Sequence, residues 1–246
     1  MSDYIKVLGF QLALELKSDN IYEYLINNDY YEEEIKKSLE IINELNPDIV
    51  IYPEMSYIDK YKNTFIELSK DKLIIAGSIY RGMINTTIIF QNGDMFEIPK
   101  QYASGAEPMI RHIDKIKSSE FLRDSLDSHT FIIKNKKIVI LNCMEYYNLA
   151  YYVAREIKDI FAIVSPCSNN NQKVFRMESD AIHNHNENIY SFVVNCVSNY
   201  NGERYAKGES YVYGPIQYHE KDWLKLENIS SYEHPSSILV LDNNPS

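Results

Sequence analysis

Three reactive residues of different chemical types each follow an apolar stretch of the sequence. Glu54 comes after DIVIYP, Lys100 comes after FEIP, and Cys143 comes after KIVILN. Short apolar runs of this kind are typical of buried strands. In layered α/β proteins, functional residues gather where strands end. One end of a sheet is therefore expected to present a carboxylate, an ammonium group and a thiol together.

These three groups together can perform nucleophilic catalysis. A cysteine attacks carbon as the thiolate, yet a free thiol is mostly protonated at neutral pH. A carboxylate at Glu54 can take the proton of Cys143, and an ammonium group at Lys100 can stabilise the anion that forms on the substrate. No histidine follows a comparable strand, so the sequence favours this trio over a Cys–His pair.

The segments between these residues alternate between helices and apolar strands. Amphipathic spacing predicts helices over YYEEEIKKSLEIINELN, KYKNTFIELSKD, NLAYYVAREIKD and VFRMESDAIHNHNENI. Residues 92–93 and 134–136 each separate two β-rich runs, which indicates two hairpins. This pattern predicts an α/β protein with mixed sheets. The length of 246 residues suits a single domain, residues 1–246.

Composition and charge argue against several classes of protein. The net charge is −10, whereas proteins that bind nucleic acid usually carry a basic surface. Nucleic acid is therefore not an expected partner. The N-terminus does not resemble a secretory signal, and no run reaches the roughly 18 apolar residues that a membrane span needs. Three cysteines without a CxxC spacing fit a reducing environment, and we expect a cytoplasmic protein.

The other thiols and the clustered histidines have simpler interpretations. Cys167 and Cys196 are predicted to be structural, because free cysteines are commonly buried. His183 and His185 with Glu187 suggest a metal site. However, helical residues two positions apart point in different directions and serve shared ligation poorly. We therefore expect neither a metal nor an organic cofactor.

The order of these motifs resembles that of the nitrilase, or carbon–nitrogen hydrolase, superfamily. The resemblance spans nearly the whole chain and rests on GFQLAL, IVIYPEMSY, NTTIIFQNGDMFEIPKQY, IVILNCMEYYN, VSPCSNN, NENIYSFVVNCVSN and GESYVYGP. It implies a four-layer α-β-β-α sandwich with two mixed sheets and a catalytic triad of Glu54, Lys100 and Cys143. It also implies hydrolysis of a small-molecule amide, or less favourably a nitrile, by a homodimer that buries helices beside the site.

The resemblance extends to residues around the triad, where it also departs from the family pattern. Glu107, in SGAEPM, matches a second glutamate that often helps to position the site in this family. After the cysteine the family usually has an aspartate and then an Arg-Phe-Pro-Glu-like run, whereas this chain has MEYYNLA. We expect Glu145 to face the pocket floor or to pair with a backbone group. Tyr146 is expected to shape the substrate pocket or to pack against another subunit.

Two other functions are compatible with the sequence. An amine can replace water in the second step, which would make the protein an acyltransferase with the same triad. A nitrilase-like chain can also act as a scaffold or as a regulatory module, for example in bacterial defence. A scaffold has no chemical need for all three triad residues, so the sequence favours an enzyme.

Overall fold

A computed structural model describes residues 5–20, 23–26, 28–102, 104, 118–200, 203–215 and 237–242. Within these ranges the α-helices are α1 (Asn28–Leu45), α2 (Lys62–Leu68), α3 (Ser118–Asp124), α4 (Met144–Glu156) and α5 (Gln172–His185). The strands are β1 (Lys6–Gln11), β2 (Ala13–Asn20), β3 (Glu23–Ile26), β4 (Ile49–Ile51), β5 (Leu73–Arg81), β6 (Ile84–Gln91), β7 (Asp94–Pro99), β8 (Thr130–Ile133), β9 (Lys136–Ile140), β10 (Ile160–Cys167), β11 (Tyr190–Asn195), β12 (Val197–Tyr200), β13 (Glu203–Lys207), β14 (Tyr211–Tyr213) and β15 (Ser237–Asp242).

The strands form two large mixed sheets. One has the order β15-β1-β4-β5-β6-β7 and the other the order β14-β11-β10-β9-β8. In the first sheet β1, β4 and β5 are parallel, whereas β6 and β7 continue as an antiparallel meander. In the second sheet β9, β10 and β11 are parallel, with antiparallel β8 and β14 at the edges. The two mixed sheets that the sequence predicted are therefore present.

A smaller sheet of order β13-β12-β2-β3 connects the two large ones. Its strands β2 and β12 follow β1 and β11 after single residues, Leu12 and Cys196. The backbone N–H of Cys196 still donates to Cys167 O, but that of Val197 donates to Leu12 O. Hydrogen bonding thus switches partner at Cys196. Because the switch depends on distant chain segments, the sequence predicted each of these regions as one continuous strand.

Apolar side chains fill three layers between and outside the large sheets. In β4, Ile49 and Ile51 enter the layer between the sheets, whereas Val50 packs in the layer of α1 and α2. In β9, Ile138 enters the layer between the sheets and Val139 packs in the layer of α3, α4 and α5. Both faces of each large sheet are covered by these layers, which explains why the central strands have continuous apolar sequences. The predicted α-β-β-α sandwich is confirmed.

Both predicted hairpins are confirmed, and their turns have the expected backbone. Asn92 and Gly93 connect β6 to β7 with φ values of 55° and 82°. Lys134 and Asn135 connect β8 to β9 with φ values of 47° and 60°. Two successive residues with positive φ match the right-handed twist of an antiparallel pair, which is why such turns are favoured.

Three short elements were not predicted from the sequence. They are α3, β3 and β13, and none of them carries a strong apolar period in the sequence. Strands β3 and β13 lie at the two edges of the smaller sheet, so their pairing is decided by neighbours distant in the chain. In the part of the chain that the structure describes, no helix combines the length and apolar character required to cross a membrane.

Candidate active site

Glu54 lies in a tight turn that follows β4. The next residue, Met55, has a φ of 64°, and the hydroxyl of Ser56 donates to the carbonyl of Pro53 at 2.6 Å. Gly77 of β5 packs against this turn with a φ of 86°. A Cβ on Gly77 would lie 2.1 Å from Ser56 Oγ and 2.3 Å from Pro53 O, so only glycine fits there. The turn therefore fixes the direction of Glu54.

The carboxylate of Glu54 is buried and held at both oxygens. Oε1 accepts hydrogen bonds from Lys100 Nζ and from Asn85 Nδ2, each at 2.8 Å. Oε2 accepts from the backbone N–H of Ser168 at 3.0 Å. Glu54 and Lys100 are each only 2% exposed. Charges buried this deeply are tolerated when they are paired and hydrogen-bonded, as they are here.

Asn85 contacts both members of this ion pair, and sequence reasoning missed it. Its side chain donates to Glu54, and its carbonyl accepts from the backbone N–H of Lys100 at 2.8 Å. The residue is completely buried near the start of β6. One feature of the sequence could have indicated it: Asn85 is an amide directly before the apolar run TTIIF. A polar side chain buried in such a strand needs a hydrogen-bond partner.

Cys143 occupies a sharp turn between β9 and α4. Its φ of 49° and ψ of −105° lie outside the regions that side-chain-bearing residues favour. Its N–H donates to Pro166 O at 3.0 Å, which continues the contact with β10, and its carbonyl accepts from the N–H of Tyr146 at 2.9 Å. Helix α4 thus begins at Met144, directly after the cysteine, and not at Asn148 as predicted. Strained backbone of this kind is concentrated at functional sites.

The thiol of Cys143 lies within electrostatic reach of Glu54 and Lys100. Its pKa is raised well above the ordinary value, first by a hydrogen bond with the Cys167 thiol, then by burial and by the negative charge of Glu54. The positive charge of Lys100 acts in the opposite direction. The resting thiol is therefore protonated at neutral pH, and its proton must leave during attack on a substrate. Each of the three residues follows a strand of one of the two large sheets, namely β4, β7 and β9.

Glu145 joins the chain segments that carry Lys100 and Cys143. One carboxylate oxygen accepts the backbone N–H of Gln101, and the other accepts that of Asn142 at 2.9 Å. The sequence predicted that Glu145 would either face the pocket floor or pair with a backbone group. The described contacts are of the second kind. Glu145 is 1% exposed, although it lies in the first turn of α4.

Tyr146 lies in the apolar layer between α4 and α5. Its hydroxyl is 2.6 Å from Ser179 Oγ, which in turn lies 2.9 Å from the hydroxyl of Tyr211. The ring stacks on Phe175 with centroids 6.0 Å apart. These contacts are those of a packing residue, and a contact of Tyr146 with substrate stays a prediction.

Glu107, the other residue predicted to help position the site, lies outside the described residues.

The remaining cysteines and clustered histidines have packing contacts. Cys167 and Cys196 are both fully buried, and Cys196 Sγ donates to Ser168 Oγ at 3.2 Å. Burial raises the pKa of Cys196 to about 12. His183 and His185 lie edge-on to tyrosine rings. Across the described ranges, no three His, Cys, Asp or Glu side chains gather in a way that could hold a metal ion.

Solved structures share this layered arrangement. Nit3 from Saccharomyces cerevisiae, a member of branch 10 of the nitrilase superfamily, matches with a TM-score of 0.60 and 16% identity, over 97% of this chain and 91% of that chain. A mutant amidase from Nesterenkonia sp. AN1 matches with a TM-score of 0.63 and 12% identity, over 97% of this chain and 90% of that chain. The fold is that of the nitrilase superfamily. In that amidase the acetamide moiety of fluoroacetamide is added covalently at the active-site cysteine.

The nitrilase fold also matches part of a longer enzyme. Glutamine-dependent NAD+ synthetase from Acinetobacter baumannii matches with a TM-score of 0.59 and 14% identity, over 97% of this chain but 45% of that chain. No protein-family model and no curated protein matches the sequence. At these identities the likeness is one of fold.

Proposed function

We propose that the protein hydrolyses the carbon–nitrogen bond of a small-molecule amide through a thioester on Cys143. The observation that carries this proposal is the buried Glu54–Lys100 ion pair, 2.8 Å between Nζ and Oε1, beside a thiol on a strained turn. A buried ion pair is weak evidence for stability, because apolar residues of similar volume often serve as well. Charges buried beside a nucleophile are better explained by catalysis.

In the first half of the reaction, Cys143 Sγ attacks the carbonyl carbon of the amide. Glu54 takes the thiol proton as the sulfur–carbon bond forms, and the Lys100 ammonium group stabilises the oxyanion of the tetrahedral intermediate. The carbon–nitrogen bond then breaks. Glu54 returns the proton to the leaving nitrogen, which departs as ammonia or an amine and leaves the acyl group on sulfur as a thioester.

In the second half, water attacks the thioester carbon. Glu54 takes a proton from the water, and Lys100 again stabilises the oxyanion. The carbon–sulfur bond breaks, the carboxylic acid leaves, and Glu54 returns the proton to the sulfur of Cys143. The hydrogen bonds from Asn85 and Ser168 keep the Glu54 carboxylate in one orientation through both halves. The scheme uses protein groups alone.

Trapping the acyl group tests this proposal. The protein is incubated with a panel of short aliphatic amides and nitriles, and its intact mass and the released ammonia are measured. We expect an acyl adduct that maps to Cys143 and ammonia release that Cys143→Ala abolishes. Cys196→Ala, which removes another buried thiol, is the matched control and should stay active. Ammonia release by Cys143→Ala at the wild-type rate would overturn the proposal.

The same experiment separates hydrolysis from acyl transfer. Hydroxylamine or a simple primary amine is added as a competing acceptor, and the products are identified by mass spectrometry. A hydrolase yields mainly the free acid at low amine concentration, because water outcompetes the amine. Predominant transfer to a dilute amine would assign an acyltransferase with the same triad.

We further propose that the protein acts as a cytoplasmic homodimer. Neighbouring helices α4 and α5 expose large apolar side chains, namely Tyr147 (41%), Tyr152 (40%) and Met177 (60%). Aromatic and methionine side chains are enriched at subunit interfaces. The three cysteines are free, which suits a reducing compartment. Light scattering after gel filtration should give twice the chain mass of 28.8 kDa, and Met177→Lys should lower it towards that of one chain.

A further inference from the structure

A buried histidine outside the triad faces the carboxylate of Glu145. His129 ends a short 3₁₀ turn, Asp127–His129, between α3 and β8. Its Nε2 lies 3.9 Å from Glu145 Oε1, and both side chains are 1% exposed. The mechanism proposed above does not use His129, and no motif in the sequence singles it out.

The contacts of His129 favour a ring that is protonated at both nitrogens. Nδ1 lies 2.8 Å from the carbonyl oxygen of Ser125, which can only accept, so Nδ1 carries a hydrogen. In a neutral ring, the lone pair of Nε2 would then face the Glu145 carboxylate and be repelled by it. Burial has the largest single effect and acts to lower the pKa of His129, but the attraction of Glu145 and the hydrogen bond with the Ser125 carbonyl together raise this pKa above its ordinary value.

The placement of Glu145 matters because its two oxygens hold two chain segments. The N–H groups of Gln101 and Asn142 both donate to this carboxylate. Gln101 follows Lys100 in the chain and Asn142 precedes Cys143. A movement of this side chain would therefore disturb both hydrogen bonds and, with them, the placement of Lys100 and Cys143.

We propose that His129 is a positioning residue, which anchors the Glu145 carboxylate as its buried ion-pair partner and thereby fixes Lys100 relative to Cys143. The proposal rests on the function proposed above for those two residues. The groups that face the ring are the Glu145 carboxylate on α4, the Ser125 carbonyl after α3, the Ser128 hydroxyl at 3.1 Å from Nδ1, and the edge of the Phe121 ring. Of these, Glu145 supplies the negative charge.

The ionisation can be tested without any substrate. Nuclear magnetic resonance of protein labelled with ¹⁵N in its histidines gives the titration curve of each ring. We expect His129 to titrate above the ordinary value of 6.5, and Glu145→Gln to lower its pKa. His183, which packs against Tyr213, is the internal reference and should not respond. A His129 pKa at or below 6.5, or one unchanged by Glu145→Gln, would overturn the proposal.

The positioning role is tested by the pH dependence of kcat for the best amide of the panel. In the wild type, kcat should fall as the pH rises through the raised pKa of His129, because neutral His129 no longer anchors the Glu145 carboxylate. His129→Gln cannot be protonated and should lack this pH-dependent fall, with a lower kcat below that pKa and a similar kcat above it. A displacement of about 1 Å costs on the order of 10²-fold, so we expect a loss between tenfold and that value. His183→Gln is the control and should keep the wild-type profile.

The stability of the same variants gives a readout that does not depend on the reaction. Because the folded pKa of His129 is raised, its ion pair stabilises the protein fully below the unfolded value near 6.5 and loses this effect as the pH rises through the folded pKa. The difference in Tm between wild type and His129→Gln should therefore shrink with rising pH. A constant difference would contradict the proposal.

The outcomes separate this proposal from the proposed function. If Cys143→Ala is inactive but His129→Gln shows the wild-type pH profile, the positioning role is wrong and the triad stands. If Cys143→Ala stays active, the triad is wrong, and the titration of His129 still reports on the Glu145 pair. If His129→Gln does not fold, the wild-type titration alone decides the charge state.

Discussion

The two halves of the candidate site are held by different means. On the six-stranded sheet, Glu54 and Lys100 form a buried ion pair that is bound by Asn85 and by the N–H of Ser168. On the five-stranded sheet, Cys143 is held by strained backbone. The first half is charged and rich in hydrogen bonds, whereas the second half is a neutral thiol whose pKa is raised.

Under the proposed mechanism, this difference assigns separate tasks to the two sheets. The groups proposed to accept a proton and to stabilise an oxyanion are in place before substrate arrives, so they would need little reorganisation during the reaction. The proposed nucleophile would be generated only when its proton moves to Glu54. Substitutions on the charged side should therefore affect both stability and rate, whereas substitution of the thiol should affect mainly rate.

The largest expected effect is the loss of turnover in Cys143→Ala, because no thioester can form. Adding Glu54→Gln to this variant should cause no further loss of rate, since the residues act as one unit. Thermal unfolding should show that Cys143→Ala keeps most of the wild-type stability. A second drop in rate in the double variant would mean that Glu54 acts apart from the thiol.

On the charged side, Lys100→Ala and Glu54→Gln should each lower kcat/KM by on the order of 10²-fold or more. Lys100→Ala should also reduce the free energy of unfolding by about 3–5 kcal/mol, because it leaves the Glu54 carboxylate buried without its cation. Denaturant unfolding measures this loss. If Lys100→Ala is as stable as Cys143→Ala, the contrast between the two sheets does not hold.

Asn85→Ala should have a smaller effect on the same carboxylate. It removes one hydrogen bond to a charged group, which typically contributes about 1.5–3 kcal/mol. We expect a lower kcat together with a lower Tm. Thr87→Val, a buried substitution in the same strand, is the control and should change kcat little. Wild-type kcat in a folded Asn85→Ala protein would show that Lys100 and Ser168 suffice to orient Glu54.

The positions of Glu54 and Cys143 in the fold could be predicted because their signals are local. Each follows a continuous apolar run, and in the structure each lies just after a strand, whereas their catalytic roles stay predictions. Asn85 was missed because its hydrogen-bond partner Glu54 lies 31 residues away in the chain. His129 was missed for the same reason, since its partner Glu145 belongs to another element. A residue whose importance arises from a distant partner leaves no periodic signal.

The limits of helix α4 show the same effect. The sequence placed its start at Asn148 because MEYY does not have an amphipathic pattern. In the structure Glu145 is buried in the first turn, where its carboxylate binds backbone groups of two other segments. A charged residue at a buried helix position contradicts the usual pattern. The exception occurs next to the candidate nucleophile, where local rules are most often broken for function.

The smallest expected effect concerns the thiol of Cys167, which neighbours that of Cys143. This neighbour is the main reason that the pKa of Cys143 is raised, so Cys167→Ala should lower that pKa and increase the thiolate fraction at neutral pH. Alkylation of Cys143 by iodoacetamide should then become faster, by about tenfold for each unit of pKa. Cys196→Ala is the control, because Cys196 bonds to Ser168 and not to Cys143. Peptide mapping follows both rates, and slower alkylation in Cys167→Ala would mean that this neighbour assists the nucleophile.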